Sequence, residues 1–136
     1  MQPKKIILCV DRDEEELSLL AFLLVTNRYR VLRATGSREA AAMFSANPRI
    51  DLVIADEGMP RIAGVSLIKH LKGIRSYIPM MWLTKGPADA IKSRWADAVV
   101  SKQLPRAELL QRIRLASRGK PGPRKGAQYK ISTPST

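Results

Sequence analysis

The chain is short of several things at once. It has one cysteine, Cys9, in 136 residues. No internal disulfide framework can form, which fits a reducing compartment and a small buried thiol in a strand. It has one histidine, His70, set among lysines, so nothing has the spacing of a zinc site. Aromatic residues make up only 5%. No apolar run approaches the roughly 18 residues of a membrane span. The longest, Leu19 to Val25, falls far short, and the start Met1-Gln2-Pro3-Lys4-Lys5 leads into a strand-like run rather than a signal peptide. A globular cytoplasmic protein with no membrane segment is expected.

Acids are also scarce: 12 against 24 basic residues, for a formal net charge of +12. The excess leaves an acidic or nucleic-acid partner conceivable. The stretch Arg118 to Thr136 is basic, acid-free and rich in Pro, Gly and Ser, which predicts a flexible tail or linker over residues 119–136 and a folded domain over 1–118. Only Tyr129 is available there for stacking, so nucleic acid is not the expected partner. The few acids are concentrated. Asp11, Asp13, Glu14, Glu15 and Glu16 form one block, broken only by Arg12.

Apolar runs of strand length occur at Lys5 to Val10, Arg30 to Ala34, Asp51 to Ala55, Met80 to Leu83 and Ala98 to Ser101. Helical patterns cover Glu14 to Asn27, Ser37 to Ala46, Val65 to Ile74 and Pro105 to Ser117, with room for only a short helix at Pro87 to Trp95. Five alternating strand and helix units with continuous apolar strands predict a parallel sheet covered on both faces, a doubly wound α/β sandwich. Sites in such sheets lie beyond the carboxyl ends of the strands. The residues there are Asp11, Asp56, Thr84 and Lys102: two carboxylates, a hydroxyl and an ammonium.

These segments resemble the receiver domain of two-component response regulators. "IILCVDRD" is similar to its first strand and acidic turn, "DLVIADEGMPRIAG" to its phosphoacceptor strand and loop, "PMMWLT" to its fourth strand, and "ADAVVSK" to its fifth. The resemblance covers residues 4 to about 117. It implies a flavodoxin-like (βα)5 fold with strand order 2-1-3-4-5. It implies a signalling domain rather than an enzyme, in which Asp56 accepts a phosphoryl group from a sensor histidine kinase or phosphotransfer protein. Thr84 and Lys102 would then hold the phosphate. Asp11, Asp56 and the Gly58 backbone carbonyl would hold Mg²⁺. A downstream output domain or protein is implied, and a homodimer stays open. A flavin-binding relative of the fold is disfavoured, because "DRDEEE" would repel a phosphate.

The sequence departs from the family pattern. Arg12 occupies the place of the second acid of the pair, and a guanidinium cannot ligate a cation. Arg12 would imitate the metal by neutralising Asp11 or Asp56, or Asp13 or Glu57 would turn inward as a replacement ligand. Gln103 stands where the family has proline, so the bond after Lys102 is expected to be trans. Val99 replaces the family's switch aromatic, and Lys85 its small residue. The segment from Thr84 to Lys102 is about one helical turn short. These changes motivate an alternative, a degenerate receiver that binds partners without phosphorylation. On the first helix, the family register turns Leu19, Leu20, Leu23 and Leu24 to the sheet and leaves Leu17, Ala21 and Val25 as an apolar docking stripe.

Overall fold

The structure is a computed structural model that describes residues 3–88 and 94–118. Its strands are β1 Ile6–Val10, β2 Arg30–Ala34, β3 Ile50–Asp56, β4 Met80–Thr84 and β5 Ala98–Ser101. Its helices are α1 Glu14–Val25, α2 Ser37–Ala46, α3 Leu67–Ile74 and α4 Arg106–Ser117. The strands pair in parallel in the order β2-β1-β3-β4-β5. This is the flavodoxin-like order the sequence led us to expect. The short helix expected at Pro87 to Trp95 falls largely, and the tail at 119–136 wholly, outside the described residues.

Each strand feeds two cores, because successive side chains point to opposite faces. Leu8, Val10, Val53, Ala55, Met80 and Trp82 meet Phe44 of α2 and Ile68 and Leu71 of α3. Ile7, Cys9, Leu52, Ile54, Met81 and Val100 meet Leu17 and Leu24 of α1 and Ile113 of α4. Burial pushes the Cys9 thiol well above its ordinary value, against the opposing pull of the Arg33 charge, so it stays protonated filler. α4 runs back beside α1. At its far end Lys5 Nζ donates to the Ser117 carbonyl at 2.5 Å.

One expectation is corrected here. Leu17 and Ala21 are not a surface stripe; both are buried, with Leu24, against the sheet. Leu19, Phe22 and Val25 are the exposed residues, at 57%, 66% and 55%. The phase is fixed by the start of the helix. The Asp13 side chain accepts from the amides of Glu15 and Glu16, which makes Asp13 the N-cap and places positions 17, 21 and 24 on the inner face. Every residue from Leu19 to Val25 is apolar, so hydrophobicity alone could not select that phase.

Candidate functional site

Four strand ends build the site. Asp56 closes β3 and Thr84 closes β4, while Asp11 and Lys102 each lie one residue past the end of β1 and β5. Parallel pairing of Val10 with Ala55, Asp56 with Leu83 and Thr84 with Ser101 sets these ends side by side. Asp11, Asp56 and Thr84 are buried. The backbone beyond the strands continues the alignment: Glu57 N donates to Leu83 O at 2.9 Å and Lys102 N to Thr84 O at 2.7 Å. Among the described residues there is no cis peptide bond.

Lys102 is the centre of the electrostatics. Its Nζ lies 2.8 Å from Asp11 Oδ2, 2.8 Å from Asp56 Oδ1 and 3.3 Å from Glu16 Oε1. Burial works against its charge, but the Asp11 and Asp56 carboxylates outweigh burial and hold its pKa above the ordinary lysine value. Asp56 Oδ1 is fully covered and has this ion pair but no hydrogen bond of good geometry. Asp56 Oδ2 accepts from Gly58 N at 3.0 Å. Thr84 Oγ1 is turned into the following loop, where it donates to Gly86 O at 2.7 Å.

In the sequence Glu16 stands out only as one member of the acidic block. Its position carried a signal nonetheless. Asp13 to Glu16 has capping-box spacing, in which the glutamate reaches back to the cap amide. Here Asp11 Oδ1 already accepts from Asp13 N at 3.0 Å. That leaves Glu16 free to turn to Lys102.

Neither Asp13 nor Glu57 is turned inward here: the Asp13 carboxylate is used by the cap, and Glu57 is exposed and, among the described residues, makes no ion pair. Arg12 is exposed and, among the described residues, makes no ion pair either. A Cβ built on Gly58 would stand 2.9 Å from Asp56 Oδ2 and 3.9 Å from Arg12 Nη2, so the guanidinium and the outer carboxylate oxygen flank the same open point. His70 is half-buried on α3, and no group of three potential metal-ligating side chains exists among the described residues.

A groove of about 200 Å³ lies beside the site, lined by Leu19, Leu20 and Leu23 of α1, Leu109 of α4, and Asp11 and Lys102 of the site itself. Among the described residues no helix is long and apolar enough to cross a membrane.

A parallel five-stranded sandwich with paired carboxylates, a hydroxyl and a lysine at the strand ends defines a receiver-type signalling domain. The family model of the response regulator receiver domain matches residues 7–114. The chain belongs to the response regulator receiver domain family. It is 34% identical over 114 residues to the response regulator MprA of Mycolicibacterium vanbaalenii, covering 79% of this chain and 48% of that one. It is 28% identical to the transcriptional regulatory protein FixJ of Rhizobium meliloti, covering 72% and 54%. The chain spans about half the length of these two relatives. Among solved structures, a response regulator receiver domain protein from Clostridium thermocellum matches with a TM-score of 0.73 at 28% identity, covering 84% and 94%. A CheX–CheY complex with BeF3 and Mg²⁺ from Borrelia burgdorferi matches at 0.71 and 22%, covering 80% and 86%, and shows the shared fold alone.

Receiver domains generally bind Mg²⁺. The side-chain oxygens here fit a resident Mg²⁺ poorly, because the Lys102 ammonium already bridges both carboxylates. Mg²⁺ needs a near-ideal octahedron of oxygens. The side chains offer two carboxylates, each already holding a backbone amide and Lys102. Where a third acid would add charge, Arg12 adds a cation instead.

Proposed function

We propose that this domain accepts a phosphoryl group on Asp56 from a phosphohistidine and relays the signal through altered partner binding. The observation that carries this reading is the setting of the Asp56 carboxylate, held at the end of β3 between Lys102 Nζ and the Gly58 amide. Oδ1 is covered, so attack falls to Oδ2, on the Gly58 side. The Oδ2–P bond forms as the P–N bond breaks, and the imidazole nitrogen leaves with the electron pair. A carboxylate is an adequate nucleophile, and the demand on the site is charge compensation for the phosphoryl oxygens. Lys102 supplies part of it. The Thr84 hydroxyl supplies a hydrogen bond once it leaves Gly86 O.

The donor is a histidine kinase or phosphotransfer protein that lays an apolar surface on Leu19, Phe22 and Val25 of α1. Continuity supports that placement, because exposed Leu19 also lines the groove that reaches Asp11 and Lys102. Arg12 favours a second reading, a receiver that binds partners without ever being phosphorylated.

The test is intact-protein mass spectrometry after incubation with acetyl phosphate. Addition of one phosphoryl group to the wild type and none to Asp56→Asn supports phosphoacceptance. A folded wild type that stays unmodified, with and without Mg²⁺, leaves the second reading.

A further inference from the structure

Most of the acids near Asp56 are already engaged, while one cation is not. Asp11 holds Lys102 with one oxygen and the Asp13 amide with the other. Asp13 caps α1, and Glu16 joins Lys102. Glu57 is exposed and, among the described residues, unpaired. Arg12 likewise has no carboxylate partner among the described residues, although Asp11 and Asp13 flank it in the chain. Its Nη2 lies on the Oδ2 side of Asp56, across the open point that the missing side chain of Gly58 leaves. One nitrogen of a permanently charged, forked donor set thus lies near the nucleophilic oxygen.

We propose that Arg12 does the work of the divalent cation, so that Asp56 takes phosphoryl groups by a metal-independent route. This inference rests on the phosphoacceptor reading above. The planar guanidinium presents paired N–H donors that match two phosphoryl oxygens, and no pH in the working range discharges it. Lys102 meets the group from the Oδ1 side and Arg12 from the Oδ2 side, which encloses the transferred charge between two cations. The same two cations repel an incoming dication. With an acyl phosphate as donor, the Asp56 Oδ2–P bond forms, the bridging P–O bond breaks, and the carboxylate of the leaving group departs with the electron pair. No metal and no proton are needed for the balance.

The experiment follows phosphorylation of the full chain by acetyl phosphate, in EDTA and in Mg²⁺, by intact-protein mass spectrometry. Arg12→Ala, Arg12→Asp and Asp56→Asn are run alongside, with thermal melts to verify folding; Arg12 is exposed, so its replacement leaves the core intact. The wild type is expected to react at the same rate in both buffers. Arg12→Ala should lose about a hundredfold in EDTA, the scale of one lost oxyanion donor. Arg12→Asp should react only with Mg²⁺, and calorimetric titration with MgCl₂ should show saturable binding in that variant and none in the wild type. Wild-type phosphorylation that requires Mg²⁺, or an Arg12→Ala rate unchanged in EDTA, overturns the metal-independent route and keeps Asp56 as acceptor. Absence of wild-type phosphorylation in every buffer overturns both.

Discussion

Lys102 Nζ donates to Asp11 Oδ2 at 2.8 Å although 91 residues separate them in the chain. The contact joins residues beyond the ends of β5 and β1, two strands that are not neighbours in the sheet, and it passes over Asp56 on the way.

Removing that ammonium leaves two buried carboxylates facing each other. Lys102→Met should cost about 3 kcal/mol of stability at neutral pH, the lower end for breaking one partner out of a buried ion pair. The sign with pH follows from the raised lysine value. The contribution of Lys102 is fully present below its ordinary value of 10.5 and is lost as pH rises through the higher folded-state value. The stability gap between wild type and variant should thus stay level from about pH 6 to about pH 9 and narrow only above the ordinary lysine range. Urea unfolding across that series measures it. A gap that narrows by pH 9 would mean the pair is far weaker than its geometry.

The phase of α1 can be tested by two truncations. Leu17→Ala empties a buried site and should cost about 3 kcal/mol, whereas Phe22→Ala on the exposed face should stay within about 0.5 kcal/mol. Denaturant midpoints at unchanged slope compare them. The opposite ranking would restore the stripe of Leu17, Ala21 and Val25.

Gly58→Ala places a methyl group 2.9 Å from Asp56 Oδ2. Something must give, and the carboxylate is what the methyl meets. We expect a loss of about 1 kcal/mol in stability. Phosphorylation by acetyl phosphate should slow by about a hundredfold, because the nucleophile is displaced. A time course by mass spectrometry reads it, and a wild-type rate would show that the turn relaxes without moving Asp56.

Asp13 anchors the turn from β1 into α1. Asp13→Ala should cost about 1 kcal/mol and Asp13→Asn much less, since an amide oxygen can still accept from Glu15 and Glu16. Equal losses in thermal or urea unfolding would argue against the cap.

Four of the five strands and their ends were legible because each is a short apolar run closed by a polar residue of distinct chemistry. Arg30–Ala34, Ala98–Ser101 and Ser37–Ala46 have the limits their sequences suggested. Where the chain is uniformly apolar, as from Leu19 to Val25, composition carries no phase, and only the cap at Asp13 supplies one. Glu16 was obscured for a related reason. Three glutamates in one helical turn look interchangeable until the amide of Asp13 is seen to be taken. The direction of the Thr84 hydroxyl depends on the carbonyl of Gly86, a loop detail that no pattern of residue types encodes.

The bond from Lys5 to the carbonyl of Ser117 ties the last turn of α4 to the entrance of β1. Asp56 lies at the other end of the same sheet, about 16 Å away along a five-residue strand. α4 begins four residues past Lys102 and ends at that tether, so a single helix spans the sheet from the charge cluster to the entrance of β1.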